Sequence, residues 1–243
     1  MSCPRVWWSD GVPDDGVVVL DGRVAHHLRR VLRVAAGDCV GIFDGRGREW
    51  AGRVGAVTTQ GVRVIELVSV TPVAEARVPV TLAVAVLKGD QMDTVVRDAT
   101  MLGAAVIMPM QTTHVTVPSR AWQSGAARDR WQRVAAASAA QCRRSVVPEV
   151  RPVTDFETCL AEPAALRLIC VEPGLAEADG HWTAAAPPRS VQVLIGPEGG
   201  WTAGEIDRAV AAGARLMHLG PRTLRAETAP TVALTMVSSA WGW

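Results

Sequence analysis

The spacing of apolar and polar positions divides the chain in two. From residue 80 onward, short apolar runs at 80–87, 104–108, 166–171, 191–195 and 215–219 have the character of strands buried on both faces. Between them lie segments with helical apolar spacing. These are 91–102, closed by Gly103; a long Arg-bearing stretch from about 126 to 142 or beyond; a short one near 155–160; 202–212, closed by Gly213; and 227–241. Pro109 is expected to end the second strand, and residues 176–188 to form an exposed loop. Strand and helix in alternation predict a parallel α/β sheet.

Before residue 70 the rhythm differs. Short β-like runs at 17–20, 39–43, 49–57 and 62–67 are punctuated by Asp10-Gly11, Asp21-Gly22 and Asp44-Gly45. Residues 26–33 read as one short helix. This predicts a small β-barrel over 1–72, joined through the Pro-flanked segment 71–79 to an α/β domain over 73–243.

Two loops of the α/β part carry candidate chemistry. Strand 191–195 runs into Gly196-Pro197-Glu198-Gly199-Gly200, and Thr202 with Glu205 forms a Thr-x-x-Glu capping box for the next helix. Bare backbone between a strand end and a capped helix is a common nucleotide-site design. No Lys-Ser/Thr follows the glycines, which excludes a Walker loop, and no G-x-G-x-x-G is present. The second loop, Leu219 to Ala229, follows the last strand. In a parallel sheet both loops open on one edge, where ligands of such sheets bind.

Composition narrows the classes. The 243 residues are 49% hydrophobic and 20% charged, as for a core-forming globular protein. No apolar run reaches membrane-spanning length, and the first residues lack a signal-peptide core. Five cysteines, odd in number and never spaced C-x-x-C, argue for reduced thiols in a cytoplasm, with no metal site and no disulfide. Of the 25 basic residues only Lys88 is Lys. Net charge is +1, so there is no global nucleic-acid signal, but Arg120 to Arg151 is locally basic. On a helix there, Arg130, Arg133, Gln141 and Arg144 project within one sector, a stripe suited to a phosphate backbone.

The loops carry a resemblance. Ile195-Gly196-Pro197-Glu198-Gly199-Gly200 paired with Leu219-Gly220-Pro221-Arg222-Thr223-Leu224-Arg225-Ala226-Glu227-Thr228-Ala229 resembles the ribosomal small subunit methyltransferase E family of the SPOUT superfamily. Three further blocks resemble the family in order: His26 to Val34 with Gly37-Asp38; Lys88-Gly89-Asp90-Gln91-Met92-Asp93 with Ala99 to Gly103; and Arg130 to Arg133 with Gln141-Cys142. Departures from its pattern stand at Arg97-Asp98, at Met101, at His114 where an Arg is usual, and at Arg143 where a Gly is usual.

The resemblance implies a SPOUT-type trefoil-knotted parallel-sheet domain behind a smaller PUA-like β-barrel. It implies a homodimer that uses S-adenosylmethionine, without a metal, to methylate N3 of a uridine in 16S ribosomal RNA or the small subunit. Ile195, Gly196, Gly199, Gly200, Leu219, Gly220, Leu224, Glu227 and Thr228 are the expected cofactor residues. Glu227 and Thr228 equally suit the start of the following helix. Arg225 is the expected catalytic cation, with Glu198 as a proton acceptor. Arg29, Arg30, Arg33, Lys88, Arg130, Arg133 and Arg144 are the expected RNA contacts. The apolar C-terminal helix suggests a partner surface. Other readings are a SPOUT methyltransferase with a different RNA target, and a non-catalytic RNA-binding ribosome-assembly protein.

Overall fold

A computed structural model describes residues 3–13, 15–174 and 186–242. Most of the loop expected at 176–188, and Trp243, lie outside the described residues. The chain forms two compact units, Met1–Ala74 with Ala136–Val147, and Glu75–Ala135 with Pro148–Trp243.

The first unit is built on a five-stranded sheet. Its strands are β1 (Arg5–Trp7), β2 (Val18–Leu20), β3 (Cys39–Phe43), β4 (Glu49–Val57) and β5 (Val62–Val70), ordered β1-β3-β4-β5-β2. The β1–β3 pair is parallel and the rest antiparallel. Register shifts between β4 and β5 bend the sheet, as bulges do. Val6, Leu20, Val40, Ile42, Val62 and Val64 fill the concave side with Ala25 and Leu28. The single helix expected at 26–33 is instead α1 (Gly22–His26), running into a π-helical turn over His27–Val31. Leu28 is its buried anchor, while His26, His27, Arg30 and Arg33 are exposed.

The cysteine expectation is corrected here. Cys3 and Cys39 form a disulfide with a Cα–Cα separation of 5.3 Å. Its cause is the register, since Arg5 stands opposite Gly41, which brings the residues two positions earlier side by side. Spacing along the chain carries no trace of this, because β1 is only three residues long. The argument from thiols to a reducing compartment therefore lapses. Among the described residues, no helix is long and apolar enough to cross a membrane.

Arg5 organises the same unit. It pairs with Glu49 and donates to the carbonyls of Ala139, Ala140 and Arg144 and to Ser145 Oγ. A cation at these late helix carbonyls satisfies groups that have no intrahelical partner. The burial of Glu49 works to raise its pKa, but the Arg5 guanidinium and the Ser145 hydroxyl hold the carboxyl below its ordinary value.

The second unit has an entirely parallel sheet. Its strands are β6 (Val80–Ala85), β7 (Val106–Gln111), β8 (Glu149–Val150), β9 (Thr154–Asp155), β10 (Leu166–Cys170), β11 (Val191–Ile195) and β12 (Ala214–Met217). The order is β12-β10-β11-β6-β7-β8, with β9 also on β7. The helices are α2 (Gln91–Met101), α3 (Ala126–Cys142), α4 (Phe156–Ala161), α5 (Ala203–Ala211) and α6 (Ala229–Trp241). The last residues of α3 belong to the first unit. Phe156 and Trp201 meet at 5.3 Å in a cluster with Met108, Met110, Ile169 and Leu194.

Pro109 does not end its strand but sits inside β7, opposite Val84. Ile107 bonds outward through its carbonyl to Arg151, and Met110 bonds inward to Val86. By alternation Pro109 faces outward. There β8 has ended opposite Ile107 and β9 begins only opposite Met110, so the missing N–H faces a break in the ladder.

Helix α6 corrects the partner argument drawn from its apolarity. Pro230, Ala233, Leu234, Val237 and Trp241 are buried, and the helix packs on α2, β6 and β11. Its exposed positions are Thr235, Ser239 and Ala240. The apolar face is taken up within the chain.

Candidate active site

The C-terminal ends of β10, β11 and β12 converge on one cavity of about 270 Å³. Strand β10 lies between β12 and β11, and all three run parallel, so the loops that follow them open side by side on one carboxyl edge. Ligands of parallel sheets bind at that edge. Ile195, Gly196, Glu198, Gly200, Leu219, Leu224, Arg225 and Glu227 line the cavity. Both expected loops thus reach it. Sequence reasoning missed the third contributor, Cys170 to Pro173 at the end of β10, and also Gln91, Trp201 and Arg222. Gln91 and Arg222 stand inside the motif blocks and Trp201 directly follows the elbow, but no local motif marks Cys170 to Pro173; only the strand order brings that segment in.

Three glycines of the elbow are glycine for different reasons. A Cβ on Gly196 would stand 3.0 Å from the Trp201 indole, and one on Gly199 would stand 2.9 Å from His114 Cβ. Gly200 has φ +69, which L side chains rarely adopt. Gly199 therefore faces His114 and is not part of the cavity lining, and neither are Gly220 and Thr228. The Thr228 side chain makes no capping bond to α6.

Trp201 is fixed by its Nε1, which donates to the Cys170 carbonyl at 2.8 Å. Burial pushes the Cys170 thiol up to about 12, which keeps it neutral and inert. The capping box is present: Thr202 Oγ1 accepts from the Glu205 amide, and Glu205 Oε2 accepts from the Thr202 amide at 2.9 Å. Glu205 also ties down the segment after β7, since Oε1 accepts from the Thr113 amide. The next residue, His114, bonds through Nδ1 to the Gly200 carbonyl at 3.1 Å. A carbonyl only accepts, so that nitrogen carries the hydrogen.

The charged residues are placed as follows. Glu198 is exposed and its Oε1 accepts from the Lys88 amide at 3.1 Å. Arg225 has a side chain 84% exposed and stands 4.0 Å from Glu227. Arg29 is half-buried and donates to the Thr59 carbonyl, whereas Arg30, Arg33, Lys88 and Arg133 are exposed. Arg130 is exposed but paired to Asp93. Arg144 is a correction: it is only 7% exposed and is not part of a surface stripe. The helix ends at Cys142, and Arg143 takes a left-handed φ of 69°, which turns the chain out of helical register before Arg144.

The sequence matches the RNA methyltransferase domain family over residues 74–238 and the RNA methyltransferase PUA domain over residues 20–67. It is 34% identical to ribosomal RNA small subunit methyltransferase E of Synechocystis sp., over 93% of this chain and 74% of that protein. The chain belongs to the ribosomal RNA small subunit methyltransferase E family. The Bacillus subtilis member is 28% identical over 90% of this chain and 88% of its own length. Among solved structures, the Neisseria gonorrhoeae member of the family, bound to S-adenosylmethionine, aligns at a TM-score of 0.89 with 28% identity, covering 99% of this chain and 98% of that one. A Legionella pneumophila protein with bound S-adenosylmethionine aligns at 0.91 with 26% identity and the same coverage. The two-part fold expected of the family, a PUA-like unit and a parallel α/β methyltransferase unit, is the one observed.

Proposed function

We propose that this methyltransferase transfers a methyl group from S-adenosylmethionine to N3 of a uridine in 16S ribosomal RNA. The observation that carries the reading is the cavity at the ends of β10, β11 and β12, where both motif loops of the family meet. Its donor set fits the cofactor. Apolar Val171, Ile195, Leu219 and Leu224 suit an adenosine, and the carboxylates of Glu172, Glu198 and Glu227 suit a ligand bearing positive charge. When bound, the cofactor supplies a methyl group already activated on a cationic sulfur, so no metal is needed for the transfer.

The chain's own residues do the rest. The elbow, held by Trp201, His114 and the Glu205 cap, presents backbone groups in a fixed geometry, which is what alignment of two reactants demands. Uracil N3 must lose its proton before or during attack. Arg225, whose side chain is largely in solvent, is the cation assigned to favour the uridine anion. Glu198 is the group assigned to receive the proton. Arg30 and Arg33 of the first unit, and Lys88 and Arg133 of the second, are exposed and have no side-chain partner among the described residues, as contacts to phosphates require. The resemblance further supports a knotted arrangement of the two motif loops and a homodimer, the latter tested by light scattering at micromolar concentration.

The deciding experiment is methylation of small ribosomal subunits and of naked 16S RNA, followed by mapping of the modified nucleotide. A 3-methyluridine at a single site is the expected result. Methylation of another base, or none, overturns the reading.

A further inference from the structure

Three carboxylates line the cavity, and two of them already have partners. Glu198 accepts from the Lys88 amide, and Glu227 lies beside the Arg225 guanidinium. The third, Glu172, follows β10 and projects at the elbow, with Oε1 3.6 Å from where a Cβ on Gly200 would stand. It has no hydrogen bond or ion pair with any described residue. The guanidinium groups in the lining belong to Arg222 and Arg225, so the acidic side chains exceed the basic ones by one.

An exposed carboxylate costs little while water solvates it. Once a ligand fills the cavity and displaces that water, its attraction for a positive charge grows as the local dielectric falls. S-adenosylmethionine carries two such charges, the sulfonium and the α-ammonium. Its product, S-adenosylhomocysteine, keeps only the ammonium.

We propose that Glu172 is a cofactor-binding residue that serves as the counter-ion for the positive charge of S-adenosylmethionine. The proposal rests on the reading that this cavity is the cofactor site. If Glu172 faces the sulfonium, its attraction vanishes when the methyl group leaves, which favours exchange of product for fresh cofactor. If it faces the ammonium, it holds substrate and product alike.

The test is calorimetric titration of the full chain, without RNA, with S-adenosylmethionine and with S-adenosylhomocysteine. It compares the wild type with Glu172→Gln and Gly200→Val. Glu172→Gln keeps the shape, removes the charge and breaks no bond with a described residue, so its urea midpoint should match the wild type. We expect it to bind S-adenosylmethionine about fivefold more weakly, as for an ion pair near water, with a smaller dependence on salt. Unchanged affinity for S-adenosylhomocysteine assigns Glu172 to the sulfonium, and an equal loss assigns it to the ammonium. Glu172→Gln binding both ligands like the wild type overturns the proposal, and if Gly200→Val then abolishes binding, the cavity reading stands without it. Wild-type affinity in Gly200→Val removes the cavity as the site, and the Glu172 proposal with it.

Discussion

The amide of Thr113 donates to Glu205 Oε1 over 2.8 Å, joining positions 92 apart in the chain. Glu205 is 1% exposed, and its other oxygen accepts from the amide and hydroxyl of Thr202. One carboxylate thus ties the segment after β7 to the start of α5, just past the Gly196–Gly200 elbow. Glu205→Gln turns one acceptor into a donor facing an N–H. It should cost about 1–3 kcal/mol, the usual penalty for a buried group left unsatisfied, read from urea denaturation at pH 7.

The same carboxylate gives a pH dependence. Burial works to raise its pKa, but the Thr113 and Thr202 donors outweigh that and hold it below its ordinary 4.5. A depressed folded pKa stabilises the fold above the unfolded value, and the gain is lost as pH falls through the folded one. The gap between wild type and Glu205→Gln should be full above about pH 5 and shrink below about pH 4.5. A gap that stays constant down to pH 3 contradicts this assignment.

Arg143 occupies a left-handed conformation just past the end of α3, the place where helices favour glycine. The family pattern has glycine there. Arg143→Gly should stabilise the protein by roughly 0.5–1 kcal/mol, raising Tm by about 2 °C.

The bridge between Cys3 and Cys39 closes a separation of 36 residues. Loop-closure entropy makes it worth about 4 kcal/mol to the first unit. Thiol titration in denaturant should find three free groups, those of Cys142, Cys159 and Cys170. Cys39→Ser should lower the first unit's unfolding midpoint and leave S-adenosylmethionine affinity unchanged.

Arg225→Ala removes a cation from the cavity mouth. Loss of one charge-stabilising donor costs roughly 10²-fold in kcat, while RNA affinity should change by no more than about threefold. Single-turnover methylation beside filter binding separates the two.

Arg30 and Arg33 are exposed on the first unit. Replacing both by Ala should lower the slope of log affinity against log salt by about 1.5, since each phosphate contact to single strands contributes roughly 0.7. An unchanged slope takes the RNA contact away from this unit.

Much of the architecture was legible because local chemistry and global fold agree. Strands β3 and β4 and the start of helix α3 have the bounds that Gly-Asp punctuation and helical spacing predict, and the Thr202–Glu205 cap is where the pattern puts it. What was illegible depends on distant neighbours. Strand β1 is too short to show alternation, and its pairing with β3 is what unites Cys3 with Cys39. Pro109 is a breaker by every local rule until the gap between β8 and β9 is known. Gly199 looks like a glycine bared for a ligand, and only the fold reveals His114 against it. Glu172 belongs to no motif and enters the cavity solely because β10 lies between β12 and β11.

The interruption of the ladder at Pro109 also bears on how this protein behaves when crowded. An open sheet invites a neighbouring molecule to extend it wherever a long row of unpaired amides and carbonyls is on offer. At the margin beyond β7 the row is two strands of two residues each, β8 and β9, with a gap between them that Pro109 of β7 faces. A second chain laid along it would find the amide and carbonyl of Val150 already taken by Gln132 and Arg128, and a blank before β9. The seam that accommodates an awkward residue thereby leaves that margin a poor template for fibrous association.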